Sequence, residues 1–166
     1  MTSPTNPLVF VYGSLKKGFH NHYPFLAERD ALPLGEAVTV DPYLMLSGAA
    51  FPYLIDPASL SADHEACVAD VIGKVKGELY VVDPETMNML DRLEGHPDYY
   101  RRVEVMVEDD GEQAMAWVYF LQHPIEAIRR CPVVMPDESG TVEWTLERAS
   151  AFQLGDIETD DLSEEG

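Results

Sequence analysis

Two groups of residues in this chain combine types and spacing suited to chemistry. In the first, Leu8 to Gly18 (LVFVYGSLKKG), an apolar β-prone run ends at Tyr12 and turns into a loop bracketed by Gly13 and Gly18. Gly13 lacks a Cβ and is free to take φ > 0, so a ligand can approach the main chain there and the N–H groups of Gly13, Ser14 and Leu15 can bind its oxygen atoms. A strand followed by an ordinary turn fits the same residues. The second group centres on Glu94, in the last turn of a helix expected over Asp83 to Gly95. Lying four residues after Leu90, its carboxylate falls near the apolar stripe of that helix and away from the solvated face. The negative end of the helix dipole contributes about 0.3–1 kcal/mol, less than one pKa unit, so only desolvation could bring Glu94 close to neutral pH as a proton shuttle. A salt bridge to Arg101 or Arg102 is the competing role.

Other chemistries fit less well. Gly13 to Gly18 satisfies the first half of a phosphate-loop pattern, but Phe19 and His20 stand where the phosphate-binding Lys and the magnesium-binding Ser or Thr belong. A carboxylate or carbonyl oxygen is therefore the expected ligand. Tyr12 and Lys16 flank Ser14 where a nucleophile elbow needs glycines. His20 with His22, and His64 with Cys67, each form only part of a metal-ligand set, so no metal is expected. Tyr100 and Tyr119 belong to adjacent strands of an expected hairpin, where they line a pocket or pack the core.

The elements that must position these residues follow from periodicity and punctuation. Leu8 to Tyr12 reads as a buried strand and His22 to Arg29 as a short helix. Gly35 to Val40 and Tyr43 to Leu46 read as strands broken at Asp41-Pro42, because proline cannot serve a central ladder. Gly48 to Asp70, rich in Ala, Pro and Asp, reads mostly as loop. Val71 to Val82 reads as a strand, with Gly73 and Gly77 expected to mark a bulge or sharp curvature. Asp83 is a cap, Pro84 suits the first helical position, Met87, Leu90 and Leu93 form one apolar stripe, and Gly95 stops the helix. Tyr100 to Val107 and Ala114 to Leu121 form a hairpin around Asp109-Asp-Gly111. Past Pro124 the pattern weakens, with a terminal helix expected over Trp144 to Leu154, packed through Trp144, Leu146 and Phe152. The class is α+β with a mainly antiparallel sheet.

Composition narrows the partners. With 166 residues, 46% of them hydrophobic, the chain can build one ordinary core. A net charge of −19 argues against nucleic acid or an anionic membrane, since phosphate binding needs clustered Lys and Arg. Asp156 to Glu165 concentrates acidic residues in what reads as a solvated, disordered tail. Two cysteines cannot supply a disulfide framework, no leader-like segment opens the chain, and no apolar run approaches bilayer length, so a cytoplasmic setting is expected.

Read together, VYGSLKKGxxNHYPFL near the start and LDRLEGHPDYYRRVEV followed by AWVYF resemble the γ-glutamylcyclotransferase-like superfamily, in the branch of γ-glutamylamine cyclotransferase and its small bacterial relatives. The pattern Y-G-[ST]-L-K/R-x-G, then N-H, matches Tyr12, Gly13, Ser14, Leu15, Lys16, Gly18, Asn21 and His22. The pattern L-D-x-x-E-x-x-P-x-x-Y-x-R matches Leu90, Asp91, Glu94, Pro97, Tyr100 and Arg102. The resemblance spans roughly residues 7 to 121 and implies a small mixed, mainly antiparallel β-barrel with flanking helices. Beyond that domain are expected an extension over 122–155 packed on it and an acidic tail over 156–166. The resemblance also implies that Glu94 takes the catalytic position, that Tyr12, Gly13, Ser14, Leu15, Tyr100 and Tyr119 bind a small γ-glutamyl substrate, and that no cofactor is used. The implied reaction is attack of the α-amine on the γ-carbonyl, releasing 5-oxoproline and an amine or amino acid. A non-catalytic carboxylate-binding module of the same fold, and an interaction domain acting through the acidic tail, are the alternatives.

Overall fold

A computed structural model of the chain describes residues 6–13, 15–16, 26, 31–48 and 52–145. Its strands are β1 (Leu8–Val11), β2 (Leu32–Ser47), β3 (Pro52–Ile55), β4 (Gly73–Val81), β5 (Tyr100–Asp109), β6 (Glu112–Leu121) and β7 (Thr141–Val142). Its helices, among the described residues, are α1 (Ala62–Val68), α2 (Pro84–Glu94) and α3 (Ile125–Arg130), with a 3-10 turn at Pro57–Ser59.

Five strands close on themselves. β2 pairs with β5, β5 with β6, β6 with β1, β1 with β4, and β4 returns to β2; only the β1–β6 pairing in this ring is parallel. The result is the small mixed, mainly antiparallel barrel with flanking helices. β3 extends β2 on one side and β7 adds in parallel to β4 on the other. β1 reads as an unbroken apolar run because both of its faces are covered: Phe10 points into the barrel, while Val9 and Val11 belong to the outer layer shared with Met87 and Leu90 of α2. No helix among the described residues is long and apolar enough to cross a membrane.

β2 runs continuously through Asp41-Pro42, where the sequence predicts a break. The ladder to β4 shifts between Val38 and Pro42, and there the Thr39 hydroxyl takes over a backbone group's work. Thr39 Oγ1 accepts from the Val75 N–H at 2.9 Å and donates to the Asp41 carbonyl at 2.7 Å, so the strand bulges and the proline is accommodated. The register shifts thus lie on β2. On β4, Gly77 instead permits close approach: a Cβ there would sit 2.4 Å from the Val11 carbonyl oxygen and 2.7 Å from Phe10 Cζ.

The helix and hairpin that carry the candidate residues match their sequence signals. The Asp83 carboxylate accepts from the Thr86 N–H at 2.7 Å, Pro84 opens α2, and Gly95 closes it at φ +69°. β5 and β6 pair without a slip from Tyr100 opposite Leu121 to Asp109 opposite Glu112, across a turn with Asp110 at φ +53° and Gly111 at φ +87°.

Elsewhere the chain is more ordered than its composition predicts. The segment read as loop over Gly48 to Asp70 contains β3, the 3-10 turn and α1, capped by Asp56 and Ser61. Beyond Pro124 come α3 and β7, and Trp144 is fully buried in the barrel interior. Residues 144 and 145 are not helical. The rest of the predicted terminal helix, the acidic tail and the predicted helix over His22 to Arg29, apart from Leu26, lie outside the described residues.

Candidate active site

Where β1 ends, the chain turns beside the C-terminus of α2, and the two enclose a cavity of about 140 Å3. β1 and its loop contribute Tyr12, Gly13 and Leu15; α2 contributes Leu93 and Glu94; the hairpin contributes Tyr100 and Tyr119. Six of the seven residues expected at the site, Glu94 among them, therefore meet in one pocket. The seventh, Ser14, lies outside the described residues, as do His20 and His22. Phe10, Val11, Pro52, Leu93 and Tyr99, none of them expected as site residues, complete the wall. Leu93 had a signal, its adjacency to Glu94; Pro52 had none, since β3 was hidden in an Ala- and Pro-rich stretch.

The tyrosine hydroxyls of this wall are occupied. Tyr12 donates to the Tyr119 carbonyl at 2.6 Å, Tyr100 to the Pro52 carbonyl at 3.2 Å, and Tyr119 to Asp91 Oδ1 at 2.7 Å. Burial pushes the pKa of all three well up, and the nearby Glu94 charge adds to the effect, so they remain neutral phenols. All three line the cavity, and Tyr99 packs edge-on against Tyr100 at 5.1 Å between ring centroids.

Arg102 pairs with Asp91, not with Glu94. Its Nε donates to Asp91 Oδ1 at 2.8 Å and an Nη to Oδ2 at 3.2 Å, while its guanidinium lies 4.5 Å from the Trp117 ring centroid. Burial works against ionisation of Asp91, but the hydrogen bonds from Arg102 and Tyr119 outweigh it and hold this carboxyl below the ordinary aspartate range. Arg101, the other candidate partner, is exposed. The Glu94 carboxylate has no hydrogen-bond or ion-pair partner among the described residues. Although Glu94 as a whole residue is only partly covered, protein crowds its carboxyl group closely enough that desolvation raises the pKa from 4.5 to about 7. At neutral pH such a group both takes and gives a proton.

Gly13 is needed for a different reason from the one its sequence context suggests. Its φ is not in the positive range; a Cβ would stand 2.7 Å from Pro52 Cδ and 2.9 Å from Cγ. The loop turns tightly at this point, with the Lys16 N–H donating to the Gly13 carbonyl at 3.0 Å. The Lys16 side chain is buried and donates from Nζ to the Trp144 carbonyl, which fastens the loop to the C-terminal end of the described chain. His64 Nδ1 sits 3.0 Å from the Ser61 hydroxyl in the cap of α1, and Cys67 is exposed.

Comparison with known proteins adds an independent line. The family model described as gamma-glutamyl cyclotransferase, AIG2-like, matches residues 9–144, extending through β7 to Trp144. A candidate gamma-glutamylcyclotransferase of Methanocaldococcus jannaschii is 40% identical over 113 residues, covering 68% of this chain and 82% of that protein. Gamma-glutamylaminecyclotransferase B of Danio rerio is 34% identical over 106 residues, covering 61% of this chain and 50% of that one. In fold, the crystal structure of an AIG2-like protein from Mus musculus aligns with a TM-score of 0.61 at 21% identity, over 86% of this chain and 99% of the other.

Proposed function

Because this chain belongs to the gamma-glutamyl cyclotransferase, AIG2-like family, we propose that its pocket converts a small γ-glutamyl compound to 5-oxoproline, with Glu94 as the acid and base. The observation that carries this reading is a glutamate with a pKa of about 7 and no ion-pair partner among the described residues, facing a tyrosine-walled cavity. The Glu94 carboxylate takes a proton from the α-ammonium of the substrate. The freed amine forms a bond to the γ-carbonyl carbon, giving a tetrahedral oxyanion. As that intermediate collapses, the bond to the leaving nitrogen breaks, the Glu94 carboxyl returns its proton to that nitrogen, and the second proton of the ring nitrogen passes to the departing amine, which leaves as an ammonium. No water is consumed, and the two products together contain the atoms of the substrate. Proton transfer of this kind contributes about 10²–10⁴-fold.

The main-chain amides of Gly13, Ser14 and Leu15 are assigned to the ligand's oxygens, including the oxyanion if one of them faces it. Nucleophile and electrophile belong to one molecule, so the remaining task is to hold it in a ring-like conformer, and the close walls of Tyr12, Tyr100 and Tyr119 suit that task. The reaction as written uses no cofactor, and two cysteines that form no disulfide with each other suit a cytoplasmic setting.

The test is incubation of the purified protein with γ-glutamyl amines and γ-glutamyl dipeptides, with 5-oxoproline read by mass spectrometry and Glu94→Gln run in parallel. Product that depends on Glu94 is expected, with at least a 100-fold loss in the variant. Absence of product across the panel, from folded protein, would favour the carboxylate-binding module.

A further inference from the structure

Asp91 lies one helical turn before Glu94, and residues three apart on a helix share a face, about 5–6 Å apart at Cβ. Both carboxylates border the Tyr119 ring, whose hydroxyl is bonded to Asp91 and whose acidity both suppress. Among the described residues, the groups around Glu94 are few. The position after β1 brings Tyr12, β5 brings Tyr100, β6 brings Tyr119 and the turn after α2 brings Tyr99, while Arg102 of β5 and His96 adjoin through Asp91 and the Tyr119 ring. On α2 itself, the exposed Arg92 contacts the Met89 sulfur. Arg102 is the half-buried cation of this set, and its two bonds to Asp91 commit its guanidinium there.

We propose that Asp91 is a positioning residue for the reaction: by holding Arg102 in a two-point ion pair and Tyr119 by its hydroxyl, it keeps the Arg102 guanidinium off Glu94 and fixes the wall that Glu94 faces. Without that hold, Arg102 is a long cationic side chain one helical turn from a carboxylate that lacks a partner among the described residues. An ion pair between them would trap Glu94 as a carboxylate and deprive it of the proton it must hand to the leaving amine. Two further contacts pin the arrangement. The Arg102 backbone N–H donates to His96 Nδ1 at 3.2 Å, and the guanidinium packs over Trp117. The sequence shows both acids and the arginine, but not which acid the arginine chooses.

This inference rests on Glu94 being the reacting acid, so its test is read without turnover. The Glu94 carboxyl carbon is followed by NMR against pH in the substrate-free, full-length protein. Asp91→Asn keeps an oxygen for the Tyr119 hydroxyl but removes the charge that holds Arg102; the Glu94 midpoint is expected to fall by about one pH unit or more, the effect of a cation arriving within ion-pair range. Asp91→Asn combined with Arg102→Met is expected to return the midpoint to within a few tenths of the starting value, which a purely structural role for Asp91 does not predict. Arg102→Met alone leaves the Asp91 charge uncompensated beside Glu94 and is expected to raise the midpoint; it decides the question if Asp91→Asn fails to fold. A midpoint that Asp91→Asn does not lower, a fall that persists in the double variant, or, should Asp91→Asn not fold, an unmoved midpoint in Arg102→Met would overturn the proposal. Failure to make 5-oxoproline would count against the reaction assigned to the pocket and leave these midpoints to be judged separately.

Discussion

Replacing Glu94 by Gln should make the protein more stable at alkaline pH, and the size of the gain follows from the site. In the unfolded chain Glu94 ionises near 4.5, whereas in the folded protein it ionises near 7 because burial penalises its charge. Below pH 4.5 it is protonated in both states and costs nothing. As pH rises toward 7 the unfolded chain gains the ionisation that the folded one resists, so stability drains away, and above pH 7 the loss is constant. At about 1.4 kcal/mol per pKa unit the full effect is about 3 kcal/mol; partial exposure of the residue reduces the expectation to about 2 kcal/mol. Glutamine has nearly the same shape and no titration. Its amide adds a polar cost of its own, but one that does not vary with pH, so the informative quantity is the change in the difference between the two proteins. Urea unfolding of wild type and Glu94→Gln at pH 5 and pH 8 measures it, because the many surface carboxylates titrate alike in both and cancel. The variant should gain about 2 kcal/mol relative to wild type between the two pH values. Parallel stability curves would show that Glu94 is solvated as an ordinary surface glutamate and would remove the physical basis for its role as a proton shuttle.

Two further outcomes follow from local geometry. Gly13→Ala places a methyl group 2.7 Å from the Pro52 ring, which is held by the β3 ladder and by Tyr100 on its carbonyl, so thermal denaturation should show a loss of about 1–3 kcal/mol; wild-type stability would mean that the ring yields. Asp83→Ala removes the cap of α2 and should cost about 1 kcal/mol in urea unfolding while leaving the Glu94 midpoint near 7, because the cap and the acid lie at opposite ends of the helix.

What the sequence makes legible here is mostly local. The cap, proline, apolar stripe and glycine of α2 are decided within a dozen residues, as is the Asp-Gly turn of the hairpin, and these two elements carry Glu94, Tyr100 and Tyr119 into place. The features that spacing misses depend on distant partners. Pro42 sits within β2 because the Thr39 hydroxyl can serve the Val75 amide of another strand. Gly13 answers to Pro52 and Gly77 to Val11 and Phe10, neither of which any local pattern announces. Arg101 and Arg102 stand equally close in sequence to Glu94, yet strand alternation sends one to solvent and the other to Asp91. Asp56 and Ser61 cap the 3-10 turn and α1 within a stretch whose alanine, proline and aspartate favour loop and helix alike.

The bond from Lys16 to the Trp144 carbonyl joins positions 128 residues apart, and it has a bearing on how the molecule is made. The turn that follows β1 is made well before its anchor, which lies near the far end of the described residues. β7 must first align beside β4, and Trp144 must enter the barrel, before Lys16 finds its acceptor. Contacts of such long range form late, after the cost of closing the intervening loop has been met. A nascent chain therefore carries the turn after β1 through 128 residues of synthesis before the group that anchors it exists.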